Sequence, residues 1–450
     1  MIEDSNRKLN KYDWLLFTTV FLGWAVSGSD IVLNAFFLPQ ITSAFNIPVS
    51  TFGLIVVFFG VGDGIGGFIF GRLDDLKWGR KLTFMTTLVG VMFFTGLSGL
   101  SVNFPMFLIS RLGAGIFSGG EMTTGWILLA ETVPIKRRNF LISLSQGGVA
   151  LGYGMADLFA TTFASATALG WRYGFYVNAI FAVLAYFVRL SVRETPYWSK
   201  IMKVKKDKKG NIGQGLSAMF DKNYRKITIL AFSALSLAFF ATAFHDDYYV
   251  DWYDIGGITR YTLTGVIIGI LFIGFEVGTF MGNFTMGILM DKFGVRKSAI
   301  LILISVPAVL AFYFVPVSIS YVLDFIIMFM VGYSVQLIWG FTPAYLSQIY
   351  PTRIRASGQG FVWAVAYGLF YSLGGYLGGI WINSNLWSVI FIISAIFFGA
   401  FSIIMYFTAL ELKGKPLDFL ENKGYNADDK ETTKITTTAE ANTMEDKGAD

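Results

Sequence analysis

The chain of 450 residues has no cysteine and a single histidine, His245. Without thiols there is no disulfide framework and no thiolate metal centre, and one imidazole leaves no histidine-rich metal site, so neither a metal nor a cofactor is expected. Charge is also scarce. Asp, Glu, Lys and Arg make up 14% of the residues, against about 25% in soluble domains. The net charge is only +5, and the basic residues are spread between apolar segments and form no single patch, which excludes a nucleic-acid surface. The apolar segments hold no nucleophile–base pair and there is no soluble catalytic domain, which excludes an enzyme.

What remains is apolar. Hydrophobic residues reach 54% and Phe alone numbers 45, so the solvent of this protein is a lipid bilayer. Runs of roughly 17 to 25 apolar residues, long enough as helices to cross a hydrocarbon core, recur twelve times: 14–38, 51–70, 82–100, 105–129, 140–164, 173–192, 227–244, 262–286, 299–315, 320–344, 357–380 and 388–410. They are called spans 1 to 12 below. The first follows a polar stretch and has no small-residue cleavage site behind it, so it reads as a span and not a leader.

Lys and Arg mark one side. They precede span 1 and crowd the connections after spans 2, 4, 6, 8 and 10, whereas the opposite connections hold little beyond Arg172 and Arg260. The positive-inside rule therefore predicts a multi-pass protein of the cell membrane with both termini cytoplasmic. The expected organisation is a cytoplasmic N-terminus (1–13), a six-helix bundle (14–192), a basic central loop (193–226), a second six-helix bundle (227–410) and a cytoplasmic tail (411–450). From 421 onward the tail is too polar to fold alone. The acidic, aromatic stretch after span 7, from His245 to Arg260, reads as an external loop.

The chain repeats itself. GRLDDLKWGRK, from Gly71, returns as GILMDKFGVRK, from Gly287, with Gly71 matched to Gly287, Asp75 to Asp291 and Arg80 to Arg296 at one constant offset. ETVPIKRR and QIYPTRIR match at an offset one residue longer, Pro134 to Pro351 and Arg138 to Arg355. Two halves of like topology related by a shift are the parallel-repeat plan of one class of secondary transporters.

At Gly71, Asp75, Gly79, Arg80 and Lys81 the sequence resembles the G-x-x-x-D-x-x-G-R-K signature of the major facilitator superfamily, with one extra residue between Asp75 and Gly79. The second copy, Gly287, Asp291, Gly294, Arg296 and Lys297, has Val295 inserted before its arginine. RLGAGIFSGGE, GWRYGFY, RETPYW and PTRIRASGQG resemble the branch of sugar porters and proton-coupled metabolite and organic-acid symporters. The resemblance implies an all-α membrane protein of twelve transmembrane helices in two six-helix repeats, working as a monomer. It also implies that Asp75 faces the positive N-terminal end of helix 11, an interaction of typically 0.3–1 kcal/mol. Arg80 and Lys81 would then pair with Glu131, with Arg138 and Arg355 completing the gate. In the second copy Gln348 stands in place of that acid. Glycine pairs four residues apart in spans 2, 5, 8 and 11 (Gly60 and Gly64, Gly148 and Gly152, Gly274 and Gly278, Gly374 and Gly378) permit close helix approach on helices that form the seam of the resembled fold.

Charges within spans are costly, about 2.5–3.5 kcal/mol at the centre. Asp30, Arg111 and Asp157 each lie roughly 9–12 Å below the outer surface by helical rise. An arginine between two carboxylates at one depth predicts a proton-coupling layer. Asn34 shares the face of Asp30. Glu276, with Asn283 on its face, and Glu121 are further substrate-binding candidates, together with Gln336, Trp339, Tyr367 and Tyr371 as cavity-lining residues. The expected function is proton-coupled symport of a small polar metabolite, an organic acid before a hexose, by alternating access. The double-glutamine pattern of sugar porters is absent from span 7, and the Gly-Pro element of drug antiporters from span 5. A sugar or polyol porter, a drug exporter and a membrane nutrient sensor remain as alternatives.

Overall fold

The computed structural model describes residues 7–48, 51–76, 78–163, 169–199, 217–254, 265–314, 320–384, 386–415 and 417. Each expected span is helical. The first half comprises Lys11–Phe36 continued by Leu38–Phe45 (span 1), Phe52–Asp75 (span 2), Gly79–Leu100 (span 3), Phe104–Thr132 (span 4), Arg138–Gln146 with Gly148–Phe163 (span 5) and Gly170–Arg189 (span 6). The second half comprises Arg225–Asp254 (span 7), Gly265–Phe293 (span 8), Val295–Ala299 to Ser305–Phe314 (span 9), Tyr321–Leu346 (span 10), Arg355–Gly360 to Ser372–Asn383 (span 11) and Trp387–Thr408 (span 12). Among the described residues, nine helices are long and apolar enough to cross a membrane. Spans 4, 5 and 6 fall short because span 4 carries Arg111 and Glu121, span 5 is broken at Gly147, and span 6 has Arg172 and Arg189 near its ends. Span 7 stays helical through Asp254, so most of the stretch read as an external loop continues the helix. Residues 255–260 and the tail from 418 lie outside the described residues.

Helix starts are fixed by local chemistry. Asn10 and Asp13 form a capping box on span 1, and Arg7 pairs with Asp13 at 2.5 Å and donates to the Thr132 carbonyl at 2.9 Å, tying the chain start to the end of span 4. Asn103 caps span 4 by accepting from the Met106 amide at 2.9 Å.

The repeat reaches into the packing. A Cβ on Gly62 or Gly66 of span 2 would strike the span 4 backbone at Leu112 or Ile116; a Cβ on Gly278 or Gly282 of span 8 would strike span 10 at Phe329 or Tyr333. Gly115 and Gly332 close the same two interfaces from the other side. All three glycine pairs keep the repeat offset, so backbone-to-backbone contact is part of what is duplicated.

The seam runs where the pattern predicts it, with span 2 packed on span 11 and span 5 on span 8, but only part of it is made by the paired glycines. Gly64, Gly67 and Gly71 of span 2 do press on span 11, at Ala364, Gly360 and Ala356, and Gly287 of span 8 meets Phe140 of span 5. The other pairs turn inward. Gly148 and Gly152 pack on span 1, Gly274 and Gly278 on span 10, and Gly374 on span 7. A four-residue spacing licenses close approach without naming the neighbour, so these glycines pack within their halves while spans 5, 8 and 11 meet the opposite half through other residues.

Candidate functional site: an aromatic cavity between two gated halves

At the end of the molecule that holds residues near both chain termini, Asp75 accepts from the Ala356 and Ser357 amides at 3.2 and 2.7 Å and from the Ser357 hydroxyl at 2.7 Å. It thus caps the first turn of span 11 from across the seam. Arg80 reaches Asp75 at 3.2 Å, Glu131 at 3.1 Å and the Thr352 carbonyl at 3.0 Å. Glu131 also takes Arg355 at 2.6 Å and the Thr195 hydroxyl at 2.5 Å. All four charged side chains are buried, so Asp75, Arg80, Glu131 and Arg355 form one connected network across the seam. Lys81 does not join it: its side chain is exposed, and only its amide is engaged, by Glu194.

The second copy is weaker. Asp291 accepts from the Phe140 amide at 3.2 Å, capping span 5 as Asp75 caps span 11. Gln348, where the acid is missing, donates to Asn139 at 2.7 Å. Arg296 and Lys297 are exposed, and Arg296 donates outward to the Tyr406 and Phe407 carbonyls. Arg138 is buried and reaches the Lys415 carbonyl.

A pair of acids went unread in the sequence. Glu194 accepts from the Arg80 and Lys81 amides at 3.2 and 3.1 Å, and Glu411 from the Val295 and Arg296 amides at 3.1 and 3.3 Å. Each clamps the start of the third helix of its half, beside Gly79 (φ +75°) and Gly294 (φ +92°). A Cβ at either glycine would collide with the glutamate, and the left-handed φ disfavours any other residue. Glu194 and Glu411 share the offset of Pro134 and Pro351, the signal that would have found them. Burial pushes the Glu194 carboxyl above its ordinary range, against the Thr195 and Lys81 amides that favour the charged form.

Within the first half, Asp30 of span 1 and Arg111 of span 4 form a buried, two-point ion pair, with the Thr95 hydroxyl donating to Asp30 at 2.8 Å. The Arg111 guanidinium also lies over Phe59 and Phe175, 5.1 and 5.4 Å from the ring centroids. Asp157 is not the third member of this layer. It lies one turn beyond Gly154 of span 5, over which the span 8 carboxylate of Glu276 sits. Equal depth did not mean equal azimuth. Glu121 is likewise not in the cavity lining: Arg189 of span 6 holds both its oxygens, Thr87 donates to it at 2.8 Å, and the guanidinium stacks 3.6 Å from the Phe84 centroid.

The cavity lies where the halves face each other and is partly open. Spans 1, 4 and 5 supply Trp24, Ile31, Met122, Gln146, Val149 and Tyr153. Spans 7 and 10 supply Phe239, Thr242, Gln336 and Trp339, and span 11 adds Trp363, Tyr367 and Tyr371. The four predicted lining residues are all there. Asn283 stands behind, donating to Gln336 at 3.2 Å, whereas Asn34, whose amide donates to its own helix at the Ile31 carbonyl, and Glu276 are not part of the lining. Trp24, Gln146, Tyr153 and Trp363 were missed because single rings and amides at helical spacing read as packing.

The sequence model of the Major Facilitator Superfamily matches residues 15–259 and 255–437. A probable 4-methylmuconolactone transporter of Cupriavidus pinatubonensis is 26% identical over 78% of this chain and 79% of its own length. A cis,cis-muconate transport protein of Acinetobacter baylyi is 26% identical over 78% and 84%, and a putative niacin/nicotinamide transporter of Bacillus subtilis 24% over 81% and 86%. Among solved structures, a proton:xylose symporter bound to 6-bromo-6-deoxy-D-glucose superposes with a TM-score of 0.71 at 20% identity, over 92% of this chain and 99% of that one. The repeat, the gate, the central cavity and these matches lead to one conclusion: the chain belongs to the major facilitator superfamily and is a multi-pass membrane transporter of small molecules, not an enzyme.

Proposed function

We propose that this transporter carries a small organic acid into the cell together with a proton, the bundles 14–192 and 227–410 rocking about the cavity so that access alternates between the two sides. The protein acts as a monomer in the cell membrane with both termini cytoplasmic, and the buried cluster around Asp75 and Glu131 closes the cytoplasmic side. The observation that carries the coupling is the Asp30–Arg111 pair. A charge within the bilayer costs about 2.5–3.5 kcal/mol even on the lenient scale, and here a buried carboxylate is paired with one arginine. Protonating Asp30 releases Arg111 and loosens the joint between spans 1 and 4, which gives the proton a conformational consequence. The names of relatives that carry muconolactone, muconate and niacin support an acid over a hexose.

Protein reconstituted in liposomes tests this with cis,cis-muconate and nicotinate added outside. The expected result is acidification of the interior with uptake of at least one of them. Asp30→Asn abolishes uphill accumulation but keeps exchange at equal concentrations, and Arg111→Ala loses both. Flux indifferent to the pH gradient contradicts the coupling. Accumulation that survives Asp30→Asn and disappears in Asp157→Asn moves the proton site to Asp157.

A further inference from the structure

Three features of the cavity have no role in the coupling scheme. First, none of its described lining residues is charged. The two buried arginines of the first half that could approach it are each held at two points by an acid, Arg111 by Asp30 and Arg189 by Glu121. Second, three lining side chains that are at least nine-tenths buried keep a polar atom with no protein partner: the indole N–H groups of Trp24 and Trp363 and the amide oxygen of Gln146. Buried polar atoms of native proteins are nearly always satisfied, and an indole N–H can only donate. Third, the rings form a connected cluster. Trp363 lies 4.8 Å from Trp126 and 5.4 Å from Trp339, Phe239 lies 4.7 Å from Trp339 and 5.2 Å from Tyr367, and Tyr367 lies 4.6 Å from Tyr371.

The backbone beneath is unusual as well. Span 11 passes through two π-helical turns, Phe361–Val365 and Tyr367–Tyr371. Such turns are rare and concentrate at functional sites, and residues four apart lie on one side of a helix. Trp363, Tyr367 and Tyr371 are the residues so aligned, and all three line the cavity.

We infer that the cavity takes a planar, π-bonded molecule, an aromatic or conjugated acid or its amide, which stacks on the aromatic side chains, has its oxygens held by indole N–H groups rather than by a protein cation, and turns any N–H or O–H it carries to the Gln146 amide oxygen. The inference rests on the cavity being the transported substrate's site. Flat π-faces select flat partners, and a saturated ring of the same size presents axial hydrogens to the same walls. With no cation in the lining, a carboxylate and a primary amide find similar partners, since both present an oxygen that accepts from N–H.

The test uses the wild-type, full-length protein in lipid nanodiscs, with binding read by quenching of its own tryptophan fluorescence and by thermal shift. Benzoate, benzamide and cyclohexanecarboxylate form one series, and cis,cis-muconate and adipate a second. Benzoate and benzamide are expected to bind within about threefold of each other, and each saturated analogue about tenfold more weakly than its planar counterpart. Trp363→Leu removes most of the planar preference, weakening benzoate several-fold more than cyclohexanecarboxylate. Equal binding of saturated and planar compounds overturns the stacking claim. A tenfold loss from benzoate to benzamide at neutral pH overturns recognition without a cation, and binding of D-xylose with none of the planar compounds overturns the substrate class. Failure to bind any compound also counts against it. Proton-indifferent flux with the planar preference intact would remove the coupling scheme and leave this inference standing.

Discussion

The two gate copies are built on the same backbone frame and differ in what fills it. Each has a left-handed glycine, Gly79 or Gly294, clamped by a glutamate, Glu194 or Glu411. Each sends an aspartate across the seam to cap a helix of the other half, Asp75 on span 11 and Asp291 on span 5. Glu131 then nucleates a buried network with Arg80 and Arg355, whereas Gln348 in the second copy makes a neutral bond to Asn139 and Arg296 turns outward. Duplication preserved the backbone geometry, and the energy of closure is concentrated in one copy.

The comparison breaks most violently at Glu131. Glu131→Gln leaves Arg80 and Arg355 buried without their shared acid, a loss of about 3–5 kcal/mol from the closed state; a fall in unfolding temperature together with new accessibility of the termini end is expected. Gln348→Ala, its counterpart, removes one neutral hydrogen-bonding group, about 1 kcal/mol, and should leave both readouts near wild type. Asp75→Asn comes next. It strips the charge from the cap of span 11, about 1 kcal/mol, which shifts a two-state ratio roughly fivefold. Labelling of single cysteines placed at the termini end, clean because the chain has no native thiol, reads the shift. Asp291→Asn alters a cap that has no buried arginine partner, whereas Asp75 pairs with Arg80, and should do less than half as much.

The smallest effect is a pH effect at Glu194. Burial raises its folded-state value above the ordinary one, so folding favours the protonated form. Its contribution to stability is full below the ordinary carboxylate range and is lost as pH rises through the raised value. Glu194→Gln should flatten that part of the stability profile between acidic and neutral pH. An unchanged slope would show that the titration lies elsewhere.

How much of this was legible depends on how local the signal is. Span positions follow from uninterrupted apolar runs, which only a bilayer explains. The gate follows from motif residues at a constant offset, because the contacts of Asp75 and Arg80 are dictated by helix ends the motif itself marks. The interior was harder. Depth along a helix is readable from rise per residue, so Asp30, Arg111 and Asp157 were placed in one layer. Azimuth depends on packing, and the bonds of the Asp30–Arg111 pair do not include Asp157. Arg189, inside span 6, was not singled out in the sequence, and its side chain turns inward to Glu121. The cavity rings on spans 1, 5 and 11 carry no mark in sequence that separates them from the many buried rings elsewhere, and a π-helical turn has no composition of its own.

The measurement that bears most directly on the central claim, asymmetric closure on a symmetric frame, is the distance between spin labels on Leu82→Cys in span 3 and Ile300→Cys in span 9, both exposed positions on opposite halves. In the otherwise wild-type protein one short-distance population should dominate. Asp75→Asn should add a longer-distance population roughly fivefold above the wild-type level, and Asp291→Asn should leave the distribution nearly unchanged. A long-distance population in Asp291→Asn equal to or larger than that in Asp75→Asn would contradict the account.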